Sequence, residues 1–247
     1  MRVLIGIRRA CVTAKPADAG PGRQSGLALA RKVWPKCRMV GRIIETLDCV
    51  AEGAAWLATA EPRFAHALAL TGPLPLRRHA DGFTALLDAI VGQQVSVASA
   101  SAIWKRMETA GLTEQAAIAV ASDDALRAAG LSRQKARYGR ELARAGIDFA
   151  ALRTRPDEDV VATLVAVPGI GRWTAEIYAM FALGRADVFA PGDLALQEGA
   201  RLLFGLPDRP NDRVLRDMAT VWSPWRAVAA RILWAYYHVA KSREGIR

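Results

Sequence analysis

From Glu45 to the C-terminus, apolar residues recur every three or four positions, the period of helices that bury one face. "ETLDCVAEGAAWLATA" carries Leu47, Val50, Ala54 and Leu57 at that spacing. "EPRFAHALAL" predicts a second helix with Pro62 in its first turn, where a missing N–H costs nothing. "TGPLPLRRH" then reads as a loop. "GFTALLDAIVGQQ" places Phe83, Leu86, Leu87, Ile90 and Val91 on one face. Ser96, Ser122 and Ser132 each precede a helical pattern as N-caps, and Gly111 closes the helix that Ser96 opens. "TRPDEDVVATLVAV" begins with Pro156, Asp157 and Glu158, whose acids suit the positive end of a helix dipole, and continues with Val160, Val161, Leu164 and Val165. Beyond "VPGIG", the segments "RWTAEIYAMFALG", "LALQEGARLLFG" and "PWRAVAARILWAYYH" predict three further helices. The last has Ser223 as its cap and Pro224 at its first position, and "RADVFAPGD" is a loop. No segment alternates apolar and polar residues between hairpin turns, so the body is predicted to be all-α.

Residues 1–42 break the pattern. They are rich in Gly, Pro and Arg, as in "AKPADAGPGRQSG", and hold no period. The expected organisation is a basic extension without a fold over 1–42 and a helical domain over 43–247. The extension reads as a disordered basic arm, as an Arg-rich transit-like segment, or as the product of a misassigned start with Met39 the true one.

Charge sharpens this division. The chain of 247 residues has 34 basic and 24 acidic side chains, a net +10. Ten of the basic residues lie before Glu45, against Asp18 alone; the rest carries 24 basic and 23 acidic residues. The body is near neutral, so an anionic partner must be met by local clustering. The segment from Arg133 to Arg144 is one such cluster, with Lys135, Arg137 and Arg140 opposed only by Glu141. With 52% hydrophobic and 23% charged residues the composition is globular. No apolar run approaches a membrane span, and no apolar core of a secretory signal is present, so a cytoplasmic protein is expected. Cys11, Cys37 and Cys49 are odd in number and confined to the first fifth, which fits neither a disulfide framework nor a zinc or iron–sulfur site. His66, His79 and His238 show no ligand spacing.

The stretch "VPGIGRWTA", Val167 to Ala175, admits more than one chemistry. Gly169 and Gly171 could open a dinucleotide-binding turn, which needs a preceding strand and later βα units. The acidic lead-in and helical spacing before Pro168 favour a helix instead, and no later strands are predicted. Read as a turn between helices, the glycines permit backbone conformations closed to side chains. The turn and the following helix then present N–H groups to a phosphate. An ordinary helix–helix corner remains the plain alternative.

"VPGIGRWTAEIYAM" followed by "DVFAPGD" resembles the helix–hairpin–helix DNA glycosylase superfamily. "AIVGQQVSVASA", "AAGLSRQKARYGRELA" and "WSPWRAVAARILW" are similar to its alkylation-repair branch. The resemblance runs from about Phe64 to the C-terminus, with its motifs in order. It implies a two-lobed helical fold with the active-site cleft between the lobes, and Asp193 at the position of the essential aspartate. Trp173 stands where bifunctional members carry a lysine, and no cysteine follows Cys49. Both departures point to a monofunctional enzyme of the DNA-3-methyladenine glycosylase II type, without an iron–sulfur cluster; longer members add an N-terminal sheet domain, and with no strands predicted for one the chain resembles the compact form. Relatives acting on another lesion, and a non-catalytic helix–hairpin–helix DNA-binding module, are the competing readings.

The resemblance assigns roles residue by residue. Alkylation leaves a purine cationic, so the enzyme needs a pocket for a flipped base more than a general acid. Trp173 and Trp234 would line that pocket, since an indole face suits a cation. Asp193 would stabilise positive charge on the sugar and orient or deprotonate water. It is equally a helix N-cap before "LALQEGA", and the two roles are compatible. Asp187 is the rival carboxylate. Gln94 falls where related enzymes insert a side chain into the gap left by the flipped base, while Gln93 would satisfy a helix end. Gly169, Gly171, Arg172, Thr174 and Lys135 are the expected DNA contacts. The backbone carbonyls of Val165, Val167 and Ile170 would hold a monovalent cation. Trp222 and Trp225 are assigned to packing. The expected partner is double-stranded DNA with alkylated bases, met by a monomer.

Overall fold

The computed structural model describes residues 40–244, so the expectations for the basic extension lie outside the described residues as far as residue 39. Thirteen α-helices follow in order: α1 (Leu47–Ala60), α2 (Pro62–Thr71), α3 (Phe83–Gly92), α4 (Val97–Thr109), α5 (Gln115–Val120), α6 (Asp123–Ala128), α7 (Arg133–Arg144), α8 (Phe149–Leu152), α9 (Asp157–Val165), α10 (Arg172–Phe181), α11 (Leu194–Phe204), α12 (Asp212–Met218) and α13 (Arg226–Glu244). Extended pairing among the described residues is one antiparallel bridge, Ile43 to Arg185, so the described residues are all-α as expected. The expected extension reached residue 42, yet Arg42 takes part in this packing. Its carbonyl accepts the Ala186 N–H at 3.0 Å, and its guanidinium pairs with Glu52 and lies over Trp225.

The helices pack in two groups. In one, α1, α2, α11 and α13 pack on one another, with α12 against α11. In the other, α3 packs on α4 and α7, and α7 on α5 and α6. The α9–α10 pair joins the second group through α3.

Local rules account for most boundaries. Ser96, Ser122 and Ser132 accept the N–H of Ser99, Ala125 and Lys135, closing three helix starts as their positions predict. Two expectations are corrected. Leu47 is 58% exposed, and the buried stripe of α1 is Val50, Gly53 and Leu57. The reason is close packing: a Cβ on Gly53 would stand 2.6 Å from the Trp225 ring. Ser223 does not cap α13, because its hydroxyl donates to Asp187 at 2.8 Å and the helix starts at Arg226. The short α5, α8 and α12 were not legible as periods, having only four to seven residues each.

A buried arginine sets the approach to the hairpin. Arg185 is 1% exposed, and its Nη2 donates to the carbonyls of Leu152, Arg153 and Arg155 at 2.9, 3.0 and 2.9 Å. Those carbonyls lie at and beyond the end of α8, where the helix ladder leaves acceptors unmet. Asp157, the first residue of α9, lies 3.5 Å from its Nε. Burial pulls the guanidinium pKa down, and Asp157 opposes that pull. Arg185 thereby fixes where α9 begins.

Candidate active site

α9 and α10 are joined by a turn in which Gly169 has φ +94°, a conformation that side chains rarely adopt. The Tyr138 ring of α7 fills the space a Cβ would need there. Gln93, just past α3, donates its Nε2–H to the Gly169 carbonyl at 2.9 Å. Gln93 therefore ties the α3–α4 turn to the hairpin, and its own N–H still closes α3 by donating to Ile90. Gly171 is different. Its φ is −79° and a Cβ would meet nothing within 4 Å, so the expectation that both glycines are needed for backbone conformation holds only for Gly169.

Gly171 is the N-cap of α10, without a side-chain capping bond. The ladder begins with Ala175 N–H donating to the Gly171 carbonyl, so the N–H groups of residues 172–174 precede it, at the positive end of the helix. The side chains there are less free than expected. Thr174 is only 7% exposed, leaving its backbone N–H as the group able to meet a phosphate. Arg172 donates Nε–H to Glu176 Oε1 at 2.9 Å, and Arg216 reaches the same carboxylate at 3.0 Å. Burial raises the Glu176 pKa, against the pull of Arg216 and Arg172.

Asp193 caps α11 and is also the meeting point of the two helix groups. Its Oδ1 accepts the N–H of Ala195 at 2.9 Å and of Leu196 at 3.0 Å. The same oxygen accepts the Trp234 indole N–H at 3.1 Å, and Oδ2 accepts the Trp173 indole N–H at 3.0 Å. Trp173 comes from α10 and Trp234 from α13, so the three predicted residues converge from three helices. All four partners are N–H donors, and a carboxylate anion is acceptor-only. Trp173 is 46% exposed and keeps an open ring, whereas Trp234 is 7% exposed. Asp187 is committed elsewhere: Arg226 grips both its oxygens at 2.8 Å and Ser223 adds a third bond. That rival carboxylate fastens the 182–193 loop to the start of α13.

The remaining predicted residues divide. Gln94 is exposed beside Gln93 with φ +56°, a strained conformation for a residue with a side chain. The Val167 carbonyl accepts the Ile170 N–H at 3.0 Å, which leaves it one lone pair; Val165 ends α9. Among the described residues, no three His, Cys, Asp or Glu side chains are grouped to hold a metal. Trp222 and Trp225 are buried, with Trp222 edge-on to Phe64 and Phe189, as packing requires.

Lys135, expected among the DNA contacts, has a partner within the fold. Its Nζ donates to the Val91 carbonyl at 2.7 Å, in the last turn of α3, where the dipole attracts a cation. Burial lowers its pKa. Lys135→Ala should therefore cost about 1 kcal/mol of stability and leave the salt dependence of DNA binding unchanged. A salt slope reduced by about one unit would put the ammonium on phosphate instead.

Gln93, Tyr138 and Arg185 were not legible as site-forming residues. Gln93 had a signal, its place in "GQQ" beside Gln94; the other two act through contacts between segments far apart in sequence.

Comparison with known proteins fits this geometry. A Bacillus subtilis relative is 34% identical over 113 residues, 44% of this chain and 39% of its own length, so the alignment spans about two fifths of that protein. The crystal structure of a DNA-3-methyladenine glycosidase from Bacillus halodurans superposes with a TM-score of 0.71 at 32% identity, over 77% of this chain and 91% of that one. The Schizosaccharomyces pombe 3-methyladenine DNA glycosylase in complex with abasic DNA superposes with a TM-score of 0.65 at 26% identity, over 74% and 95%. The family model described as HhH-GPD superfamily base excision DNA repair protein matches residues 87–224, from within α3 to just before α13. That span is more than half of the chain and takes in the hairpin, Trp173 and Asp193, and the protein belongs to the HhH-GPD superfamily of base excision DNA repair proteins.

Proposed function

We propose that this protein is a monofunctional DNA glycosylase that hydrolyses the N-glycosidic bond of alkylated purines in double-stranded DNA. The observation that carries the reading is the Asp193 carboxylate, held by two backbone amides and by indoles from both helix groups. A phosphate-binding module has no use for a carboxylate held in this way. An alkylpurine departs readily because it is cationic, and what the enzyme must stabilise is the positive sugar left behind. Asp193 supplies fixed negative charge there and orients the attacking water. Trp173 offers its open ring to the flipped base while its N–H stays on Asp193.

The N–H groups of residues 172–174, facing outward past Gly171, would hold a phosphate of the lesion strand, with Arg172 beside them. Gln94, held outward by its neighbour's bond to Gly169, would fill the gap in the duplex. The carbonyls of Val165, Val167 and Ile170 are neutral donors suited to a monovalent ion, which would brace the turn against phosphate. The protein would act as a monomer.

Purified protein should release 3-methyladenine or 7-methylguanine from methylated duplex and leave abasic sites in uncut strands. Borohydride should trap no protein–DNA adduct, because Trp173 stands where a Schiff-base lysine would be needed. A robust adduct would make the protein a lyase. Release confined to oxidised or deaminated duplexes, run in parallel, would move it to another lesion class.

A further inference from the structure

Trp234 sits against Asp193, yet its ring is closed to a base. It is only 7% exposed. Phe181 lies against it at 5.7 Å between centroids, and the Arg77 guanidinium stands 5.7 Å from the indole centroid. Phe181 is itself buried under the Arg231 guanidinium at 4.8 Å, so it is fixed. Arg77 is exposed, and among the described residues no carboxylate pairs with it. It is the neighbour able to leave.

The backbone aims it. Arg77 has φ +51°, a conformation that costs a non-glycine residue stability and persists only where its surroundings impose it. Those surroundings are two clamps on the 72–82 loop. Arg231 Nη2 donates to the Leu76 carbonyl at 2.8 Å, and His79 N–H donates to the Phe181 carbonyl at 3.1 Å. Arg77 lies between them and before residue 87, outside the span that the family model matches.

We propose that Arg77 is a specificity-determining gate, a built-in cation on Trp234, the second indole of the Asp193 site, that a base stacking on Trp234 as well as on Trp173 must displace. The inference rests on the alkylpurine reading above. A cationic purine replaces one cation on the indole by another, so the exchange is nearly even. A neutral purine gives up the cation–π attraction and regains only stacking. Displacing Arg77 costs both bases alike; a cationic base recovers that cost on the indole and stays flipped, whereas a neutral base does not and is held mostly in the duplex, so the gate selectively lowers the flipped fraction of neutral bases.

The test is single-turnover release of 7-methylguanine, which is cationic in DNA, and of hypoxanthine, which is neutral, by wild type, Arg77→Ala and Arg77→Lys. Arg77→Ala should keep 7-methylguanine release within about twofold and raise hypoxanthine release about fivefold. Arg77→Lys keeps a cation and should stay near wild type. Equal falls for both bases would make Arg77 a phosphate contact, and unchanged rates would leave it a surface residue; either overturns the gate. A readout independent of turnover is acrylamide quenching of tryptophan emission in the free protein. It should rise in Arg77→Ala and not in Arg77→Ala combined with Trp234→Phe. Wild type inactive on both bases would count against the alkylpurine reading, while unchanged quenching would count against the gate.

Discussion

Asp193→Asn should lower the single-turnover rate of base release by about 10²-fold or more, at little cost to folding. The magnitude is that of losing one preorganised electrostatic partner of a charged transition state. Asparagine keeps an oxygen for the Ala195 and Leu196 amides, so the cap of α11 survives. Its NH2 would then face an indole N–H, Trp173 being the partner of Oδ2, and that bond is lost. The loss is worth about 1 kcal/mol, or roughly 2–4 °C in Tm for a domain of this size. Binding to abasic-site DNA should hold, because the hairpin amides do not depend on the carboxylate. If the rate survives, or falls only as far as the melting curve does, Asp193 is a helix cap and the catalytic assignment fails.

The hairpin glycines should separate folding from binding. Gly169→Ala must carry a side chain at φ +94° and push it into the Tyr138 ring, so it should destabilise the protein by about 3 kcal/mol, near 6–12 °C in Tm. It should also weaken DNA binding, since the Gln93 bond to the Gly169 carbonyl would shift. Gly171→Ala meets no neighbour and needs no unusual φ, so its melting temperature should stay within about 2 °C of wild type. Yet a phosphate seated on the free amides of α10 would pass close to that N-cap, where a methyl takes up room, and affinity for duplex DNA should drop about tenfold. Wild-type affinity in Gly171→Ala would show that no phosphate approaches the turn closely.

Much of the fold was legible because its determinants are local. The α3 face of Phe83, Leu86, Leu87, Ile90 and Val91 is buried as its period requires, and the three serine caps lie where their positions place them. Leu47 fails the same rule because Gly53, which no hydrophobic period counts, is what lets α1 approach Trp225. The basic run on α7 was legible as charge, but the bond that turns the Lys135 ammonium onto the end of α3 was not.

The site divides along the same line. A carboxylate at position 193, a glycine turn at 169–171 and the tryptophans at 173 and 234 follow from residue type and order along the chain. Their convergence does not. The Trp173 indole meets Asp193 across 20 residues and the Trp234 indole across 41, and only packing of α10 and α13 around the start of α11 brings both to one carboxylate. The same packing commits Asp187 to Arg226, buries Thr174 and sets Arg77 over Trp234. Sequence determines which groups are available and which backbone conformations each residue can hold, because those are properties of single residues and of one helical turn. Which of two carboxylates meets the two indoles, and which indole is open, depends on donors and rings from distant segments competing for the same space, and tertiary structure alone decides that.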